Sequence, residues 1–336
     1  MTVSVPDNCH DSCLRYERRQ LIKAEGINHV ALVGAGMVGH GLALHFARAG
    51  YQVSLYSRTR QTLDKAIEGI EANLPALLQG RTDAEDETRK IIGRIRTTKN
   101  MAEAVAEAPI VIESVAEDLK IKQDLFKELD QMCSRDAVLA TNTSVISITA
   151  IASEAKNRDR IVGTHFWFPP YLIPLVEVVK GRDTSDDTME TTYQFMKKAG
   201  KYPIKCLKDV PGFVANRLQH ALWREAISIV ERGIADAATV DDAIKKSFGI
   251  RIPVLGPIEN ADMVGLDLTL AIHNTVLRDL EASPEPSPLL RDKVSKGELG
   301  FKSGRGFYDS WTPESIKRTR ERLTKHLIDY SQKQKT

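Results

Sequence analysis

The hydrophobic and polar positions divide the chain near residue 209. From residue 28 to about 208, short apolar runs alternate with helical patterns, which predicts a parallel sheet with crossover helices. The apolar runs place strands at 28–34, 52–56, 94–97, 109–113, 137–141, 161–165 and 175–179. One charged helical pattern spans 59–92 and another spans 119–132, after the Glu117-Asp118 pair. Asp209-Val210-Pro211-Gly212 marks a break, and beyond it the pattern is helical almost throughout. Phe213 to Gly233 is apolar with helical period, Thr239 opens another helix, and Ser283 to Pro288 is a stiff proline-rich connection. After Trp311 the chain reads as a charged, solvated helix.

The first strand runs directly into Gly34, Gly36 and Gly39, at G-x-G-x-x-G spacing, with the helical pattern starting at Met37 and Val38. In this strand–turn–helix context Gly34 permits the tight turn, Gly36 lets a pyrophosphate approach, and Gly39 lets helix and strand pack closely. The amides and positive dipole at the helix start then hold the diphosphate. The predicted fold class is therefore α/β: a Rossmann-type dinucleotide-binding domain over 27–209, then an all-helical C-terminal domain for substrate and dimerisation over 210–336. Residues 1–26 read as an N-terminal extension with a short helix near 14–24.

The end of the second strand decides between NADP and NAD. An acidic residue usually binds the ribose 2′-OH there, about 20 residues beyond the glycines. This chain has Ser57, followed by Arg58, whose planar cation suits a 2′-phosphate. NADP is the favoured expectation. NAD binding with Arg58 stacked on the adenine is the alternative.

Composition narrows the class. The 336 residues are 42% hydrophobic with a formal net charge of +2, and the charges are interspersed, so neither nucleic acid nor an anionic membrane is an expected partner. An apolar run of about 18 residues, as a membrane span would need, does not occur. The first 26 residues lack an apolar signal-peptide core, and cytoplasmic residence is expected. Cys9, His10 and Cys13 lack a further ligand cluster, so no metal site is expected.

His165 ends an apolar strand and precedes a Pro-Pro turn, at a strand's C-terminal end, where ligands collect in open α/β sheets. A histidine there is a candidate general acid or base. Glu177 stands alone in the apolar run Leu175 to Val179 and needs a partner if buried. Pairing with His165 would satisfy it and fix the imidazole tautomer. A structural histidine and an edge-strand glutamate are the plain alternatives.

With Ala140-Thr141-Asn142-Thr143-Ser144, Gly163 to Pro170, Pro174 to Val179, Pro211 to Arg217 and Leu299 to Tyr308 in this order, the chain resembles the L-3-hydroxyacyl-CoA dehydrogenase family from about residue 27 to 311. The resemblance implies hydride transfer between a nicotinamide and a 3-hydroxy or 3-keto substrate. It implies His165 as base, Glu177 as its partner, and Ser144 and Asn216 as hydrogen-bond donors to the substrate oxygen. Glu117 and Lys122 match the family's cofactor contacts, and a homodimer through the helical domain is implied.

Three departures qualify this. Ser57 replaces an acid. Phe168 stands where the family carries Asn, which removes a hydrogen bond and dries that wall. The stretch Asn73 to Gly80 has no cation until Arg81, where acyl-CoA members carry lysines for the CoA phosphates. The pattern is closest to the branch acting on free hydroxy acids, which includes L-gulonate 3-dehydrogenase (lambda-crystallin) and L-carnitine dehydrogenase. Arg217 or Arg224 is a candidate for the substrate carboxylate, with a structural role for Arg217 equally open. The rival readings are a true 3-hydroxyacyl-CoA dehydrogenase, C=N reduction on the same fold, and a crystallin-type protein that binds cofactor without turnover.

Overall fold

The computed structural model describes residues 23–333. The expected helix near 14–24 and the Cys9-His10-Cys13 group lie largely or wholly outside them. The chain forms two units, one ending at Asp209 and one starting at Val210.

In the first unit an eight-stranded sheet has the order β3-β2-β1-β4-β5-β6-β7-β8. The strands are β1 (His29–Val33), β2 (Gln52–Tyr56), β3 (Ile95–Thr98), β4 (Ile110–Glu113), β5 (Val138–Thr141), β6 (Ile161–Phe166), β7 (Leu175–Val179) and β8 (Tyr202–Cys206). The helices are α1 (Met37–Arg48), α2 (Arg60–Leu77), α3 (Ala84–Gly93), α4 (Met101–Val105), α5 (Leu119–Met132), α6 (Ile148–Ile151) and α7 (Asp186–Lys198). The central strands are buried on both faces, which is why they read as continuous apolar runs. Leu42, Phe46, Leu55, Leu63, Ile70 and Phe195 are fully buried in one core.

Three expectations need correction. The sheet is not wholly parallel, because β7 runs antiparallel to β6. The 167–174 connection is too short for a crossover, so the chain must turn straight back. The strand β8 was not expected. It lies parallel to β7 at the sheet edge, reached through α7. Its exposed Tyr202 and alternating polar positions hide it from a search for apolar runs. The 59–92 helix is two helices, α2 and α3, interrupted where Gly80 takes a positive φ of 84°.

The second unit contains α8 (Ala215–Glu231), α9 (Ala237–Lys246), α10 (Pro257–Val264), α11 (Leu266–Val276), α12 (Pro288–Ser295) and α13 (Pro313–Lys333). Asp236 caps α9 and Ser287 caps α12 through their side chains. Glu231 at the end of α8 accepts from Ser287 Oγ (2.8 Å) and Leu289 N (3.0 Å), which ties α12 to α8. Helices α10 and α11 leave Ile258, Met263, Leu266, Leu268, Leu270 and Ile272 exposed. No helix of the described residues is long and apolar enough to cross a membrane.

Candidate active site

The turn after β1 has the stereochemistry its glycines imply. Gly34 has φ 114°, and a Cβ there would lie 2.4 Å from Ser114 O. At Gly39 a Cβ would lie 1.9 Å from Gly34 O, so helix and turn touch backbone to backbone. A Cβ at Gly36 would meet nothing within 4 Å, and α1 starts there without a side-chain cap. Open space beside uncapped amides fits a pyrophosphate. Met37 is exposed, and Val38 packs partly against the core. At the end of β2, Ser57 is half-buried and Arg58 exposed. The neighbouring Arg60 is engaged by Asp64 at 2.8 Å, whereas Arg58 forms no ion pair among the described residues.

Two loops at the carboxyl ends of β4 and β5 are joined by a buried polar network. Glu113 Oε1 accepts from Lys122 Nζ (2.6 Å) and Val115 N (2.6 Å), and Oε2 accepts from Thr141 Oγ1 (2.7 Å). Lys122 also lies 3.4 Å from Glu117 Oε2. Glu117 Oε1 accepts from Thr143 Oγ1 (2.5 Å), Ser144 N (2.9 Å) and Val145 N (3.3 Å). Burial pushes the Glu117 carboxyl up, but the Thr143 hydroxyl, the Lys122 charge and the two amides outweigh it, and the net shift is downward. Glu117 therefore holds the half-buried Ser144 loop as an anion, with Lys122 beneath it.

His165 and Glu177 are directly opposite in the antiparallel β6–β7 pair. Nδ1 of His165 lies 2.7 Å from Oε2 of Glu177, and both side chains are buried. Cys206 Sγ donates to the other glutamate oxygen at 3.8 Å. Asn142 Oδ1 accepts from Phe166 N at 2.9 Å, which fixes the end of β6 to the loop after β5. The ring of Trp167 lies 5.8 Å from that of His165. Phe168 is 51% exposed, so its ring is available to a ligand and not committed to the core.

The fold thus brings His165 to Glu177, and Ser144 to Glu117 and Lys122. Asn216 is the second residue of α8, in the other unit, where Arg217 Nη1 donates to Pro211 O at 3.4 Å. From sequence alone no role attaches to Glu113, nor to Asn142 and Thr143 within the 140–144 segment that stands out there. Glu113 carries a signal like that of Glu177, a lone carboxylate in an apolar strand. Among the described residues no group of three or more His, Cys, Asp or Glu could hold a metal ion.

Comparison with known proteins identifies the family. The family description "3-hydroxyacyl-CoA dehydrogenase, NAD binding domain" matches residues 29–210, and "3-hydroxyacyl-CoA dehydrogenase, C-terminal domain" matches 212–310. The chain is 33% identical to 5-formyl-3-hydroxy-2-methylpyridine 4-carboxylate 5-dehydrogenase of Mesorhizobium japonicum, covering 90% of this chain and 96% of that protein. It is 36% identical to 3-hydroxybutyryl-CoA dehydrogenase of Clostridioides difficile, covering 83% and 98%. A solved structure of the pyridine carboxylate dehydrogenase, described as an NAD+ dependent dismutase, superposes with a TM-score of 0.82 at 33% identity, covering 90% of this chain and 97% of that one. (S)-3-hydroxybutyryl-CoA dehydrogenase from Ralstonia eutropha gives 0.72 at 33% identity, covering 85% and 100%. The chain belongs to the 3-hydroxyacyl-CoA dehydrogenase family and is an NAD-dependent oxidoreductase of that type.

Proposed function

We propose that the enzyme interconverts a free 3-hydroxy acid and its 3-keto form, with His165 as the general acid and base and NADP(H) preferred over NAD(H). The observation that carries the free-acid reading is the state of α2. Asn73, which opens the uncharged stretch, donates to Gly69 O (2.6 Å) and accepts from Tyr171 OH (2.8 Å). Arg81, the first cation beyond it, is engaged by Asp83 at 2.7 Å. Between Asn73 and Arg81 a CoA phosphate would find no uncommitted cation. The similarity to an enzyme named for a pyridine carboxylate supports a carboxylate without CoA.

When bound, the nicotinamide supplies the acceptor or donor of hydride. Glu177 holds Nδ1 of His165 and stabilises the imidazolium, so the substrate proton is exchanged at Nε2. Ser144, with its backbone fixed by Glu117, donates a hydrogen bond to the substrate oxygen. Arg58 pairs with the 2′-phosphate, where Ser57 offers no opposing charge.

The exposed apolar face of α10 and α11 supports a homodimer through the helical unit, since a patch of this kind is ordinarily covered by a partner. Sedimentation equilibrium at micromolar concentration should give twice the chain mass, and a monomer would remove this part of the reading.

The competing reading is a true 3-hydroxyacyl-CoA dehydrogenase, favoured by the relatives that carry that name. Initial rates with acetoacetyl-CoA and with a panel of free 3-keto acids separate the two. A kcat/KM at least about tenfold higher for a free acid, equivalent to about 1.4 kcal/mol, is expected. A preference for acetoacetyl-CoA decides for the competitor.

A further inference from the structure

Lys201, just before β8, is 7% exposed. No carboxylate pairs with it among the described residues. Burial, and secondarily the charge of Arg48, push its ammonium down to about 7. A buried ammonium needs oxygen partners, and this one takes both from a single loop. Nζ donates to Pro170 O and, at 2.8 Å, to Ile173 O. It also lies 5.7 Å from the centroid of the Phe166 ring.

That loop, 167–174, is the connection between His165 and Glu177. Its other anchors lie elsewhere in the unit. Tyr171 reaches Asn73 on α2, and Pro170 packs so closely on α1 that a Cβ at Gly41 would lie 2.8 Å from its Cγ. Next to Lys201, Tyr202 N donates to Pro174 O at 2.9 Å. Lys201 therefore touches the last residue of β6, the middle of the loop and, through its neighbour, the start of β7. The one-residue step from Phe166 back to His165 and the two-residue step from Leu175 on to Glu177 both lie within extended strands and are short and inextensible.

We propose that Lys201 is a positioning residue for the His165–Glu177 pair, its ammonium clamping the loop that sets the two side chains opposite one another. The inference rests on His165 and Glu177 acting as proposed above, but the pair's geometry can be read without turnover.

The test is the downfield imidazole N–H proton of His165 in the nuclear magnetic resonance spectrum, assigned as the signal that His165→Gln removes. In Lys201→Met this signal should shift upfield or broaden beyond detection, and Lys201→Arg, which keeps two donors, should retain it. If Lys201→Met does not melt cooperatively, Lys201→Gln replaces it. Turnover should fall on the order of tenfold in kcat, with KM and NADH affinity within about twofold of wild type, as for a small misalignment of reacting groups. A wild-type signal in Lys201→Met, or no His165 signal in wild type, overturns the proposal. Loss of the signal in a protein that turns over no 3-keto acid would end the functional reading and leave the positioning role standing.

Discussion

Lys122 Nζ lies 2.6 Å from Glu113 Oε1, and both side chains are buried. A lysine that the family resemblance assigns to the cofactor is thus the centre of an ion-pair network under the Ser144 loop. Removing one member leaves the other as an uncompensated buried charge, which costs about 3–5 kcal/mol. Lys122→Met should lose that much stability in urea or guanidinium unfolding. A loss under about 1 kcal/mol would show that this pair adds little to the stability of the fold.

A second buried pair makes stability depend on acid. Arg160 Nη2 lies 2.8 Å from Asp130 Oδ1, and Lys156 N and Asn157 N donate to Oδ2. Burial raises the Asp130 carboxyl, but the hydrogen bonds from Arg160, Asn157 and Lys156 outweigh it and hold the group below its ordinary value. A depressed carboxylate stabilises the fold above the unfolded pKa, and that contribution is lost as pH falls through the lower folded value. Asp130→Asn should therefore be most destabilising at neutral pH and approach wild type below about pH 4. Equal destabilisation from pH 7 to pH 3 would rule out the ionised Asp130.

His165→Gln should leave cofactor binding near wild type and reduce turnover by roughly a hundredfold or more, the usual contribution of a general base. Glu177→Gln should show a smaller loss, because the imidazole keeps a hydrogen-bond partner but loses the charge that stabilises its protonated form. Steady-state rates and NADH fluorescence titration read both effects. Near-normal turnover in His165→Gln would remove it from the mechanism.

Cofactor preference tests the end of β2. A charge-assisted contact from Arg58 to a 2′-phosphate should favour NADPH by about 1.5–3 kcal/mol, roughly ten- to hundredfold. Arg58→Ala should erase most of that difference, and Ser57→Asp should turn the preference toward NADH. Because Arg58 is exposed, the preference should weaken at high salt. Tighter NADH binding by the unaltered protein would show that Arg58 faces elsewhere.

The sequence alone specified what short-range sterics and side-chain pattern specify. The turn through Gly34, Gly36 and Gly39 is written in consecutive residues, because backbone conformation and close approach depend on the local absence of Cβ. The helix α5 was legible from its charged periodic pattern and the capping Asp118, and the central strands from their apolar runs. Glu177 stood out because a carboxylate in an apolar strand requires a partner, and His165 was the candidate in reach.

Tertiary structure decided which distant residues meet. The reversal of β7 turns on a connection too short to cross over, and that reversal makes His165 and Glu177 cross-strand neighbours. The edge strand β8 has too little apolar pattern to be read alone and exists by pairing with β7. Lys122 is marked in sequence only as the cofactor contact that the family resemblance implies, and Lys201 looks there like an ordinary solvated lysine. Only the folded chain buries them, against Glu113 and against the carbonyls of Pro170 and Ile173. The physical reason is one of range. Backbone sterics act over a few residues, whereas the desolvation and pairing of a charge depend on surroundings that the rest of the chain supplies.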